Sequence, residues 1–217
     1  MTRHDRRVRV LAACLAAVAG FVDAAAFIEL GGFFVSFMSG NTTRLGVGLA
    51  GNLGHAATAA GLVIAFVSGV AVGSLVGRRS GRHRRPIVLI LVATLLALAA
   101  LLGGLGAGAA LTVMALAMGA ENAVFEQDGE VRIGLTYMTG TLVKIGQRLA
   151  NAITGEPKLE WAPYLFLWLG LAAGAAIGAA AYTRFGLQSL WAAAATTLIL
   201  AAIAATLESE ADPGAGR

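Results

Sequence analysis

Cysteine and histidine are scarce in this chain, and each scarcity removes a class of function. Cys14 is the only cysteine, so no disulfide forms within the chain, and its place inside an apolar run leaves no thiolate metal site to build. His4, His55 and His83 are too scattered to make a helical His-x-x-x-His metal pair. A Gly-x-x-x-x-Gly-Lys-Ser/Thr phosphate loop and a Gly-x-Ser-x-Gly elbow are missing as well. The expectation is a chain that is not an enzyme and carries no metal and no cofactor. Charge is scarce too: 13% of residues are charged, against roughly a quarter in an ordinary soluble domain.

What fills the chain instead is apolar, at 58% of 217 residues, more than a soluble core of that size needs. Runs long enough to cross about 30 Å of hydrocarbon lie near 8–28, 57–77, 86–108, 109–125, 161–182 and 187–207. The reading is an all-α integral membrane protein of about six transmembrane helices, forming a single membrane domain over 1–217. The basic N-terminus runs into a full-length apolar span without a convincing cleavage site, so it reads as a retained first helix. The net charge of +4 reports orientation, because the arginines sit between spans. The lipid bilayer is the expected partner, with a small-molecule solute and no nucleic acid.

One segment is written twice. Phe37–Ala50 returns one hundred positions later as Tyr137–Ala150, with five of fourteen positions identical and Phe37/Tyr137, Ser39/Thr139, Arg44/Lys144 and Leu45/Ile145 conservatively matched. The duplication extends to Gly20-Phe-Val-Asp23-Ala against Gly119-Ala-Glu-Asn122-Ala. It also pairs the ladder Gly69, Gly73, Gly77 with Gly170, Gly174, Gly178, whose four-residue spacing lines one helix face and lets a neighbouring backbone approach. The repeats are approximately 8–108 and 109–207, joined at the glycine-rich turn Gly103–Gly108.

If the repeated segments do not cross, each half holds three spans. The N-terminal arginines, Arg78–Arg85, Arg132, Lys144, Arg148, Lys158 and Arg217 then share one side, leaving only Arg44 and Arg184 opposite. This satisfies the positive-inside rule with both termini cytoplasmic in a bacterial inner membrane. An odd number of crossings per half makes the two copies an inverted repeat, as in many transporters. The repeated segments are expected to be re-entrant or interfacial amphipathic helices, entered through turns at Gly31-Gly32 and Asp128-Gly129. The last helix of each half, Ala/Leu-rich and nearly featureless, reads as lipid-facing scaffold.

The candidate binding residues are Asp23, Ser39, Asn41, Arg44, Asn122, Thr139, Thr141 and Lys144. A cation at one register in both copies is costly against lipid and should face a cavity, water or a headgroup. Met-Ser-Gly-Asn-Thr-Thr and Met-Thr-Gly-Thr place hydroxyls and small residues at helix starts, where an anion could be held. The same residues could instead cap and pack a short helix while Arg44 and Lys144 snorkel. Asp23 could be a proton or cation site, or a partner for Arg44. Glu121 beside Asn122 breaks the symmetry, and Glu29, Glu126, Gln127 and Asp128 read as solvated loop ends.

Gly20-Phe-Val-Asp-Ala-Ala-Ala-Phe, Gly31-Gly-Phe-Phe-Val-Ser-Phe-Met-Ser-Gly-Asn-Thr, Gly119-Ala-Glu-Asn-Ala and Thr136-Tyr-Met-Thr-Gly-Thr together resemble the YoaK-type bacterial membrane proteins, the DUF1275 family. The resemblance covers nearly the whole chain and implies an inner-membrane protein of about six spans, with no activity attached. Family members usually carry Gln-Asn where this chain has Glu121-Asn122. Two functional readings stand: a small-solute secondary transporter or channel with its site between inverted halves, leaning to an anionic or zwitterionic solute, or a non-transporting scaffold that packs through its glycine faces and binds headgroups.

Overall fold

A computed structural model describes residues 6–127, 129–154 and 160–210; Arg3, His4, Asp128, Lys158 and Arg217, used in the sequence reading, lie outside them. The regular structure of the described chain is helical apart from a two-residue antiparallel ladder pairing Glu126 with Val131 and Gln127 with Glu130. Its helices are α1 Arg6–Glu29, α2 Met38–Gly51, α3 Leu53–Arg79, α4 Arg84–Gly103, α5 Ala107–Glu121, α6 Met138–Ile153, α7 Ala162–Phe185 and α8 Leu190–Glu210. Five stretches are long and apolar enough to cross a membrane; the last, Ala162–Ser209, holds 48 residues, about twice what one span requires. A 3-10 turn at Gly186–Ser189, with Gly186 at φ 56°, divides that stretch into α7 and α8.

Backbone seams set the packing. In α7, Gly170, Gly174 and Gly178 press on the backbones of Ala13, Ala17 and Phe21 of α1 in rising order, so the two helices run parallel. In α3, Gly69 and Gly73 press likewise on Leu116 and Ala120 of α5, and a methyl at Gly73 would lie 2.7 Å from the Ala120 carbonyl oxygen. Gly20 of α1 returns the contact to Leu171 and Ala175, as Gly119 of α5 does to Phe66 and Val70. Lipid provides no hydrophobic drive between helices, so such close approach is a main source of association.

These contacts correct the glycine pairing read from the sequence. Gly69 and Gly73 occupy the places of Gly174 and Gly178, one turn from the ladder alignment. Gly77 meets the side chain of Arg84 instead of a helix backbone. The shift follows from unequal connections, because Asn52 alone separates α2 from α3, whereas eight positions, 154–161, separate α6 from α7.

The last helix of each half keeps an exposed apolar face, Ile90, Leu98 and Leu101 in α4 and Leu198, Ile199 and Ile203 in α8, but it also packs inward. α4 packs on both α8 and α5, and Val88, Leu89, Val92, Leu96, Ala99 and Ala100 are fully buried in that contact. α4 and α8 are antiparallel: Gln188 Nε2 donates to the Ala100 carbonyl at 3.3 Å at one end, and Glu208 reaches the backbone of Arg85 at the other.

Candidate functional site

The sequence-derived residues fall into two matching clusters at opposite ends of the bundle. The first is built on a returning loop between α1 and α2. Gly31 at φ 60° and Gly32 at φ 113° adopt a backbone that side chains resist, and they turn the chain back toward α1. There Asp23 holds it: Oδ1 accepts from the amides of Val35 at 2.7 Å and Ser36 at 2.9 Å, and Oδ2 from the Ser36 hydroxyl at 2.7 Å. Asn41, fully buried, pins the same loop by donating to the Phe34 carbonyl at 2.6 Å and accepting from the Phe34 amide at 3.1 Å.

Asp23 is thus a loop clamp and not the partner of Arg44. The Arg44 guanidinium instead stacks over Phe33, 4.9 Å from the ring centroid, a cation–π contact, close against Gly32. It lines a cavity of about 360 Å³ with Phe33, Val47 and His55. Ser39 is exposed at the start of α2, and the α2 N-cap is Phe37, without a side-chain cap.

The second cluster repeats the first with weaker bonds. Asn122 stands at the place of Asp23 and Thr136 at that of Ser36, its hydroxyl donating to Asn122 Oδ1 at 3.3 Å; Asn122 Nδ2 donates to the Met118 carbonyl at 2.9 Å. Thr141 is buried at the place of Asn41, and Thr139 is exposed like Ser39. Lys144 is exposed and lies 5.6 Å from the Tyr164 ring centroid, lining a separate cavity of about 140 Å³. α2 packs on α3 and α6 on α7, near the start of each long helix, and α3 and α7 run in opposite directions. Arg44 and Lys144 therefore face opposite ends and share no site.

Three acids carry more than their sequence neighbourhood suggests. Glu121 is 0% exposed, and neither carboxyl oxygen has a hydrogen-bond partner. Its counterpart, Val22, is equally buried and apolar. The break in symmetry at this position was visible in the sequence, but its burial was not. Glu126, read as a solvated loop end, is buried: it accepts from the Ser74 hydroxyl and binds Arg84 at 3.3 Å and Arg78 at 3.5 Å. Burial pushes its carboxyl upward, but the Ser74 hydrogen bond and the Arg84 and Arg78 charges outweigh that and hold it below the ordinary glutamate range. Glu29 likewise accepts from the Tyr182 hydroxyl. Among the described residues no three His, Cys, Asp or Glu side chains gather as metal ligands.

Long apolar helices seamed by backbone contact, with polar side chains folded onto returning loops, define a multi-pass α-helical membrane protein. More particularly, the chain belongs to the DUF1275 family, described as "Protein of unknown function", whose sequence profile matches residues 11–203. It is 37% identical over 195 residues to the "UPF0700 transmembrane protein RA0705" of Rhizobium meliloti (strain 1021), covering 89% of this chain and 84% of that protein. No solved structure matches the chain.

Proposed function

We propose that the protein is a small-solute secondary transporter or channel, built from two three-span halves inserted oppositely in the bacterial inner membrane with both termini in the cytoplasm. The observation that carries the transport reading is Glu121. A carboxyl group buried in an apolar bundle without any hydrogen-bond partner costs several kcal/mol unless something joins it. A packing scaffold gains nothing from it, as Val22 shows at the matching position. A transporter gains a coupling site, occupied by a proton or a cation.

Reciprocal packing supports the inverted arrangement. Exchanging α1 with α5, α2 with α6, α3 with α7 and α4 with α8 turns the α1–α7 pairing into α3–α5, α4–α5 into α1–α8 and α2–α3 into α6–α7, and leaves α4–α8 as it is. α2 and α6, about 21 and 24 Å long at 1.5 Å per residue, are short for a crossing and lie at opposite ends. Arg44 and Lys144 then stand one at each mouth, which favours an anionic or zwitterionic solute.

The scaffold reading has two observations in its favour: the glycine seams are closed, and Arg44 and Lys144 line separate cavities. Uptake by proteoliposomes across a panel of anions and amino acids separates the two. Transport predicts accumulation of at least one solute, reduced in Arg44→Ala and Lys144→Ala at equal amounts of folded protein. Coupling through the Glu121 carboxyl predicts that Glu121→Gln, the residue family members usually carry there, alters the pH or cation dependence of that uptake. A scaffold predicts no uptake of any solute by the wild type.

A further inference from the structure

At the end of the bundle where α3 stops, α4 starts and α5 and α8 finish lies a cavity of about 470 Å³, next to the smaller Lys144 cavity, with which it shares Arg132. Arg78, Arg82, Arg84, Arg85 and Arg132 line it, together with the carboxylates of Glu126 and Glu208. Three of the arginines are held in place from within. Arg84 and Arg78 bind Glu126, and Arg84 also donates to the Glu126 carbonyl. Arg85 stacks 5.6 Å from the Phe125 ring centroid and meets Glu208. The other two stand at the rim, Arg82 with its Nε 3.3 Å from His83 Nε2 and Arg132 beside Glu130 at 3.9 Å.

Five guanidiniums line this surface against the carboxylates of Glu126 and Glu208, with Glu130 beside Arg132, so positive charge is in excess on one concave surface. Membrane-length stretches end at Arg79, Phe125 and Ser209 and begin at Gly81, which sets this surface at the edge of the hydrocarbon, at headgroup depth. A planar guanidinium fork matches phosphate oxygens two at a time, and basic pockets between spans at this depth suit acidic headgroups. We propose that this cavity binds a phosphate group, carried either by an acidic phospholipid of the adjoining leaflet or by a small soluble anion. The proposal does not depend on the protein transporting anything.

The test is a binding titration of the full chain in neutral-detergent micelles at constant ionic strength. The probes are phosphatidylglycerol, phosphatidylcholine as its net-neutral counterpart, and inorganic phosphate. Saturable binding of phosphatidylglycerol that inorganic phosphate does not displace assigns the site to the lipid. Displacement by inorganic phosphate, or its direct binding, assigns the site to a soluble anion. In either case Arg82→Ala with Arg132→Ala lowers the affinity by about thirtyfold, as expected for two guanidiniums near the surface. Arg184→Ala, at the opposite end, leaves it unchanged. Should the double variant fail to fold, Arg82→Gln alone, at an exposed side chain, is expected to cost about fivefold. No saturable binding of either phosphate probe, or equal affinity in the arginine variants, overturns the proposal.

Discussion

Removing the Asp23 carboxylate tests whether the returning loop before α2 depends on it. Asp23 accepts three hydrogen bonds, from two backbone amides and one hydroxyl, and the residues that donate them, Val35 and Ser36, are buried. In Asp23→Ala those amides lose their acceptor where water does not readily replace it. Each donor left unsatisfied costs about 1–3 kcal/mol, and bonds to a charged acceptor lie at the upper end, so the variant should lose roughly 3–5 kcal/mol. Asn122→Ala removes two bonds between neutral groups, one from Thr136 at 3.3 Å and one to the Met118 carbonyl at 2.9 Å, and should lose only about 1–2 kcal/mol. Asp23→Asn keeps one carbonyl oxygen for the amides and should fall between them. Denaturant unfolding in micelles, with protease cleavage within residues 31–37 as a local probe, measures both effects. A stability of Asp23→Ala within about 0.5 kcal/mol of wild type, or a larger loss in Asn122→Ala, would refute the loop-clamp assignment.

The glycine seams give a second expectation: Gly69→Ala and Gly174→Ala, each pressed on a carbonyl, should each lose about 1–3 kcal/mol from overpacking. Gly61→Ala, with open space around it, should stay near wild type in the same unfolding assay. Acid sensitivity supplies the third. Because Glu126 titrates below its ordinary value of 4.5 when folded, its contribution is complete above about pH 4.5 and is lost as pH falls through the folded pKa. Glu126→Gln should therefore lower stability at neutral pH and flatten the decline below pH 4.5. An unchanged acid limb in that variant would detach Glu126 from its arginines.

The sequence made the helices legible because apolar runs of spanning length have few other uses, and the duplicated Met-Ser/Thr-Gly segments fall on α2 and α6. The glycine register was not legible, since a ladder with a spacing of four matches itself after slipping one turn. Only the longer connection before α7 and the actual carbonyl contacts set it. Glu126 stands among Gln127, Asp128 and Gly129, a turn-like neighbourhood, and its burial comes from Ser74 and Arg84, far away in sequence. α4 looked lipid-facing because lipid and protein interior are equally apolar to a featureless helix, so its pattern could not tell them apart. Glu121 was visible as a break in the repeat, but local sequence does not reveal that α5 is enclosed on the side it faces.

The inverted build is tested most directly at Ser39 and Thr139, matching positions that are both exposed at the starts of α2 and α6. In a Cys14→Ala background, Ser39→Cys and Thr139→Cys are labelled in spheroplasts with a membrane-impermeant maleimide, before and after permeabilisation. The inverted arrangement predicts that Ser39→Cys reacts from outside in intact spheroplasts, whereas Thr139→Cys reacts only once the membrane is opened. Labelling of both positions from the same side would contradict it.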